Sequence, residues 1–362
     1  MDHFAFNEPA IDVVYLWVDG NDPVWRAKRQ RAAAALSSDT LDHMALYGNV
    51  EGRYRDNDEL RYSLRALERF FPQHGHVYIV TDGQTPSWLE PNDGLTVVDH
   101  RTLMPATQLP TFDSGHIESY VHRIPGLSER YFYLNDDVFF GAPVHTADWF
   151  SADGVFVAWS DEPAVSDEAL RPDATALENA CRLSHQWLRA HPPLKPGYQH
   201  TFRTFAHAPR PLRKSLLSLL EREAPEMFAS VRSTVFRSWD KPAIVSDFVL
   251  RWALAHGMAQ LREYRHMHLS TGDSNSQVGL AQLEAAIGAV DFFCLNDTTD
   301  NAMPQDPRLA RVRKSLQRMF PTPSGFERTA PLLPTATGQE IRRWNEARSA
   351  ALPQATIPLN QA

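Results

Sequence analysis

The stretch "YFYLNDDVFFG", residues 131–141, sets two adjacent carboxylates, Asp136 and Asp137, inside an otherwise apolar run. Tyr131, Phe132, Tyr133, Leu134, Val138, Phe139 and Phe140 are residues that suit a buried strand. Such a strand has no place for bare charge. An unpaired carboxylate taken out of water is costly, and a like-charged neighbour makes ionisation harder still. Two readings are open. Either the strand ends at Leu134 and "NDD" is a solvated turn, for which Asn and Asp are ordinary residues, or a divalent cation offsets the charge.

Outward from this stretch, residues 11–143 alternate short apolar runs with helical patterns: "IDVVYLWVDG", two helices, "HVYIVTDG", "LTVVDH", a short helix, then "YFYLNDD". That rhythm signals βα units and a largely parallel, Rossmann-like α/β sheet. Each run delivers an acid, Asp19, Asp82, Asp99 and the Asp136/Asp137 pair. Ligands gather outside the carboxyl ends of strands in such sheets, so the acids can ring one crevice; a turn or helix cap is the plainer reading of Asp82 and Asp99. "VFVAW" (155–159) reads as a further strand, and 173–191, 211–231 and 245–257 carry helical spacing. The proline-rich "AHPPLKPGYQH" reads as a connection between elements, and "FFCLNDTTDN" as a second strand ending in amide and acid, Asn296 and Asp297.

At 362 residues, 43% hydrophobic and 22% charged, the chain is ordinary globular material. Its net charge of −8 argues against a nucleic-acid binder while leaving a small phosphorylated ligand open. Cys181 and Cys294 lie far apart with no CxxC or His-rich spacing, so neither a disulfide framework nor a zinc site is expected. No leader-like or spanning apolar segment is read, and the expectation is a soluble, cytoplasmic protein.

In "RYRDNDELRYSLRALERF" (53–70), Asp56 and Glu59 fit a capping box, with Leu60, Leu64, Leu67 and Phe71 as the buried stripe. Arg53, Arg55, Arg61 and Arg65 crowd the same helix start, where forked guanidinium groups suit phosphate. "FDSGHIESYVHRIPGL" offers Ser114 as a cap and Glu118, His122 and Arg123 as polar members of a short helix. His207 in "FAHAPRPLRKS" and Arg237 and Asp240 in "VFRSWDKP" are weak signals alone.

Taken in order, "IDVVYLWVDGNDPVW", "RYRDNDELRYSLRALERF", "HIESYVHRIPGLSERYFYLNDDVFFG", "HAPRPLRKS" with "FRSWD", and "FCLNDTTDN" with "FPTPSGFE" resemble the four blocks of the Stealth family. That family comprises bacterial capsular and exopolysaccharide phosphotransferases and, in animals, the catalytic subunits of the lysosomal-enzyme N-acetylglucosamine-1-phosphotransferase. The resemblance implies transfer of a hexose or N-acetylhexosamine 1-phosphate from a UDP-sugar, UDP-N-acetylglucosamine favoured, to a glycan or lipid-linked glycan hydroxyl, with release of UMP. It implies a single catalytic domain over 11–325: a nucleotide-sugar half (11–160) with a glycosyltransferase-A-like mixed sheet, a mainly helical insertion (165–260), and a strand and loop (290–325). A tail follows over 326–362, with a helical pattern in "GQEIRRWNEARSAAL". A lipid-linked acceptor would bring the protein to the inner face of the membrane.

On this reading Asp136 and Asp137, with Asn296 and Asp297, hold Mg²⁺ or Mn²⁺ on the diphosphate. Trp17, Asp19, Asp22, Arg55, Asn57, Glu59, Arg61, Glu118 and Asn135 contact the donor. Arg237, Asp56 and Asp137 act in catalysis beside His207, the candidate base, whose unperturbed imidazole titrates near neutrality. Two alternatives stand: a metal-dependent UDP-sugar glycosyltransferase releasing UDP, and a non-catalytic glycan-binding protein.

Overall fold

The apolar runs become the strands of a central sheet. A computed structural model describes residues 10–328 except Pro91 and Pro304. β1 (Asp12–Leu16), β2 (Val77–Thr81), β3 (Leu95–Asp99) and β4 (Arg130–Asn135) stand in the order β3-β2-β1-β4, all parallel. β1 is buried at every position, as the unbroken apolar run of a strand covered on both faces requires. The helix Glu59–Phe70 crosses over between β1 and β2, burying Leu60, Leu64 and Leu67, with Phe71 just beyond its end.

That helix does not start with the expected capping box. Its N-cap is Asp58, in the left-handed region at φ 69°, with no side-chain cap bond. Asp56 Oδ1 instead accepts from the Asp58 amide at 2.9 Å, and Glu59 reaches back to the Asn57 amide at 2.6 Å. The carboxylates close two tight turns, so the chain enters the helix two residues later than the motif suggests.

After β4 the chain turns at Asp136–Asp137 and continues as β5 (Val138–Phe140), which leaves the central sheet for a second one. β6 (Val155–Val157) follows as a short strand. β7 (Arg210–Arg213) runs antiparallel to β4 and makes the central sheet five-stranded and mixed. It lies inside a region read as helical from its sequence; Pro211 is tolerated because β7 is an edge strand. β8 (Ala259–Leu261) pairs with β6, while β9 (His266–Ser270) and β10 (Phe292–Asn296) complete the second sheet in the order β5-β10-β9. The "NDD" turn therefore lies where one strand is handed from sheet to sheet, its Asp137 carbonyl accepting from the Leu295 amide at 3.0 Å.

Aromatic packing fixes this junction. Phe132 of β4 meets Phe140, Phe150 and Trp149 edge-on at 5.2–5.3 Å between centroids, and Phe139 stacks on Phe293 at 4.6 Å. The helices Ala176–Ala190, Lys214–Glu223, Pro225–Val231 and Val249–Ala255 supply the helical part. There Arg251, fully buried, donates to Asp247 at 2.7 Å and to the Thr201 carbonyl at 2.8 Å, while Ser184 Oγ donates to the same carboxylate at 2.6 Å. Among the described residues no helix is long and apolar enough to cross a membrane. The tail from 329 on, with its helical pattern, lies outside the described residues.

Candidate active site

A cleft of about 230 Å³ opens at the carboxyl ends of the parallel strands. Trp17 and Val18 enter it after β1, Asp82 after β2, Asn135, Asp136 and Asp137 after β4, and Asn296 and Asp297 at the end of β10. Glu59, Glu118, His207, Arg55 and Arg237 complete the expected residues that line it.

Its floor is acidic. Burial, then Asp137 and Asp56, raise the Asp136 carboxyl well above the usual carboxylate range. Burial lifts Asp137 to about 6 against the Cys294 thiol and Arg53, which pull it down. Glu59 rises through burial and the Asp56 and Asp136 charges, and Asp56 reaches about 7 through burial and Asp58. Asp56 belongs to this charge cluster without lining the cleft. The "NDD" stretch is a turn, but its half-buried carboxylates lack water enough to ionise freely.

The opposite wall is basic. Arg237 donates to Ser114 Oγ and stands 3.6 Å from Asp113. Asp113, not Ser114, caps the short helix Ser114–Glu118. Arg53 faces Arg237 without a partner for its buried Nε, and its guanidinium is pushed down by burial first and then by Arg237. Asp113 is the acid these two cations share. Lys241 and His100 also line the cleft, His100 lowered to about 4 by burial.

Several expected residues are occupied elsewhere. Arg61 ion-pairs with Glu327, as Arg65 does, and neither lines the cleft. Asn57 donates to the Leu309 carbonyl at 3.3 Å and accepts from Arg313 at 2.7 Å, tying down the helix Pro307–Met319. Asp22 caps the helix Pro23–Ala34, accepting from the Val24 amide at 2.8 Å, and Asp19 closes a turn onto the Asn21 amide at 2.8 Å. Asp99 caps His100–Leu103, and Lys28 neutralises Asp82. Asp240 pairs with His43, away from the lining. Asp297 reaches the cleft, but its oxygens are engaged by Arg55 and Thr299.

Glu118, 2% exposed, accepts from Tyr133 OH at 2.9 Å, and the same hydroxyl stands 2.9 Å from Asn135 Oδ1. Burial raises Glu118 against the pull of Tyr133, Arg237 and Arg210. His207 departs from the near-neutral expectation: burial, then His268, Arg210 and Arg237, lower it to about 3, so the ring is neutral.

Of the nine buried side-chain polar atoms without a partner among the described residues, four belong to cleft-lining residues: Trp17 Nε1, Arg53 Nε, His100 Nδ1 and Asp137 Oδ1. Folded proteins leave few such atoms, and these four come together along one cleft. Arg53, Lys241 and His100 were not singled out as site residues in the sequence. Arg53 had a signal in the arginine crowd; His100 and Lys241 had none.

Fold and cleft define a Rossmann-like α/β protein with a bipolar cleft at the carboxyl ends of its strands. The chain belongs to the Stealth family: conserved region 1 matches residues 9–37, conserved region 2 residues 53–158 and conserved region 4 residues 288–333. It is similar to curated exopolysaccharide phosphotransferases, 36% identical over 327 residues to one from Streptomyces coelicolor, which covers 88% of this chain and 33% of that protein. CpsY of Mycobacterium leprae is 36% identical over 325 residues, covering 88% and 57%. The chain thus spans between a third and about three-fifths of the relatives it matches. Among solved structures, the galactosyltransferase LgtC aligns with a TM-score of 0.42 at 9% identity, covering 89% of this chain and 98% of that one. The inositol-1-phosphate CTP transferase of T. maritima aligns at 0.37 and 11%, covering 86% and 96%.

Proposed function

We propose that the cleft transfers a sugar 1-phosphate from a UDP-sugar, UDP-N-acetylglucosamine favoured, to a hydroxyl of a glycan or lipid-linked glycan in exopolysaccharide or capsule synthesis. The carrying observation is the cleft's polarity: Arg53, whose buried Nε has no partner, beside Arg237 on one wall, and Asp136 and Asp137 with a bare acceptor oxygen on the other. A diphosphate carrying a divalent metal satisfies both walls. Family membership and the relatives' name, exopolysaccharide phosphotransferase, agree with it.

The residues fit Mg²⁺ or Mn²⁺. Asp136, Asp137 and Asn296 offer hard oxygen donors, and Asp137 Oδ1 is a buried acceptor with no donor, whereas Asp297 serves better as the anchor of Arg55. When bound, the metal supplies charge neutralisation on the diphosphate.

The acceptor oxygen forms its bond to the β-phosphorus while the bond from that phosphorus to the bridging oxygen breaks, and UMP leaves with the bridging oxygen. Arg53 and Arg237 hold the phosphoryl oxygens; such preorganised charge is where phosphoryl transfer gains most. His207 takes the hydroxyl proton. Burial, then His268, Arg210 and Arg237, keep it free of a proton beforehand, and an arriving diphosphate offsets the contribution of the two arginines as the proton is released. Glu118 and Asn135 compete for the single Tyr133 hydroxyl proton at the rim of the acidic turn.

The test is the nucleotide released from a panel of UDP-sugars with Mg²⁺ or Mn²⁺ and short glycan acceptors. UMP with a phosphodiester-linked product is expected. UDP would move the attack to the anomeric carbon and overturn the phosphotransfer reading, and no turnover by the full chain with any donor would overturn catalysis.

A further inference from the structure

Cys294 carries no metal-binding signature in the sequence, yet the fold surrounds it with imidazoles. Cys294 on β10 and His268 on β9 are register partners of adjacent parallel strands, so both project from the same face. The segment preceding β7 lays His207 over that face, its ring 5.2 Å from that of His268. One nitrogen from each histidine and Cys294 Sγ all lie within 4.8 Å of one another.

We propose that His207, His268 and Cys294 form a second cation site, for a soft divalent ion of the zinc class, beside the oxygen-lined site of Asp136 and Asp137. One thiolate and two imidazoles are a borderline-soft donor set that magnesium disfavours and zinc or cobalt accepts. Ligand atoms around a tetrahedral zinc stand roughly 3.3–3.8 Å apart, so the cluster closes with shifts of about 1 Å. Exposed His268 supplies the entry path and buried Cys294 the anchor. Cys294 Sγ currently donates to Asp137 Oδ2 at 3.6 Å. Binding transfers the thiol proton to solvent, turns Sγ into a ligand and removes that donor from Asp137.

A consequence rests on the phosphotransfer reading above: a cation on His207 withdraws electron density from the imidazole that would receive the acceptor's proton and makes it a poorer base. Occupancy holds the enzyme off, and removal of the soft ion restores it.

The experiment titrates the purified full chain with Co²⁺ in excess Mg²⁺, reading tetrahedral cobalt absorption and the thiolate-to-cobalt charge-transfer band, with Zn²⁺ as competitor. The expected result is a band displaced by Zn²⁺, absent in Cys294→Ala and shifted in His268→Gln to at least about 100-fold higher cobalt, the upper end of what losing a mere supporting partner costs. His268→Gln alters an exposed residue and tests the site even where Cys294→Ala fails to fold. No charge-transfer band, or the same titration in His268→Gln, overturns the site. Inhibition of Mg²⁺-supported turnover by Zn²⁺, relieved in His268→Gln, supports the consequence. Binding without inhibition overturns the consequence and leaves the site. Absence of turnover with any UDP-sugar counts against the phosphotransfer reading alone, because the cobalt band does not depend on it.

Discussion

Replacing Arg53 with methionine should make the protein more stable and nearly inactive. The Arg53 Nε is buried without a partner, and neighbouring Arg237 adds repulsion. A buried polar group left unsatisfied costs about 1–3 kcal/mol; as the residue is only partly buried, relief of about 1–2 kcal/mol is expected. In a chain of this size that is a rise in melting temperature of about 1–3 °C. Methionine keeps the apolar stem, so packing changes little. If the guanidinium holds phosphoryl oxygens, its loss should lower kcat by about 10²–10³-fold, the cost of one preorganised donor. The control is Arg251→Met, the same change at an arginine whose charge is fully buried and paired with Asp247. Breaking that pair costs about 3–5 kcal/mol and lowers the melting temperature by about 4–7 °C. Thermal melts by fluorescence and release of UMP read both quantities. A fall in melting temperature for Arg53→Met, or full turnover, would refute the claim that the Arg53 charge is held for a ligand.

Three further outcomes follow from the same geometry. The unfolded chain protonates His207 as pH falls through about 6.5, while the folded ring stays neutral down to about 3. That residue's contribution is therefore present above pH 6.5 and is lost progressively between about 6.5 and 3, so His207→Gln should flatten the pH dependence of the melting temperature in that window; parallel curves would contradict the burial of a neutral ring. Asp137→Ala should abolish turnover while melting no lower than the parent, since it removes a carboxylate whose ionisation burial opposes; retained turnover with Mg²⁺ would end its metal role. Asp22→Ala should cost about 1 kcal/mol through the lost helix cap and leave the donor KM unchanged, because its oxygens serve Val24, Trp25 and Gln84; a raised KM would return Asp22 to the binding surface.

What the sequence revealed was what a single strand can carry. The parallel βα rhythm, the buried stripe of Leu60, Leu64 and Leu67, and the delivery of Asp136, Asp137, Asn296 and Asp297 to strand ends are all properties of period and local composition, and the structure keeps them. What it concealed was which neighbour each charge meets. Arg53, Arg55, Arg61 and Arg65 look alike in one dimension; in the fold Arg55 goes to Asp297, Arg61 and Arg65 share Glu327, and Arg53 is left facing the cleft. Their partners lie more than two hundred residues away, beyond any spacing rule. β7 was hidden for a related reason: a four-residue edge strand containing proline has no period to detect, and only the unpaired flank of β4 creates a place for it. His207, His268 and Cys294 meet because register aligns two strands of a second sheet that no βα rhythm announces. The buried atoms that stay without a hydrogen bond after folding, Arg53 Nε and Asp137 Oδ1 among them, are therefore more informative than the motifs that contain them. Pairing is what the folded chain does with charges it needs for itself, and on the proposed function the donor diphosphate supplies the partner that these atoms lack.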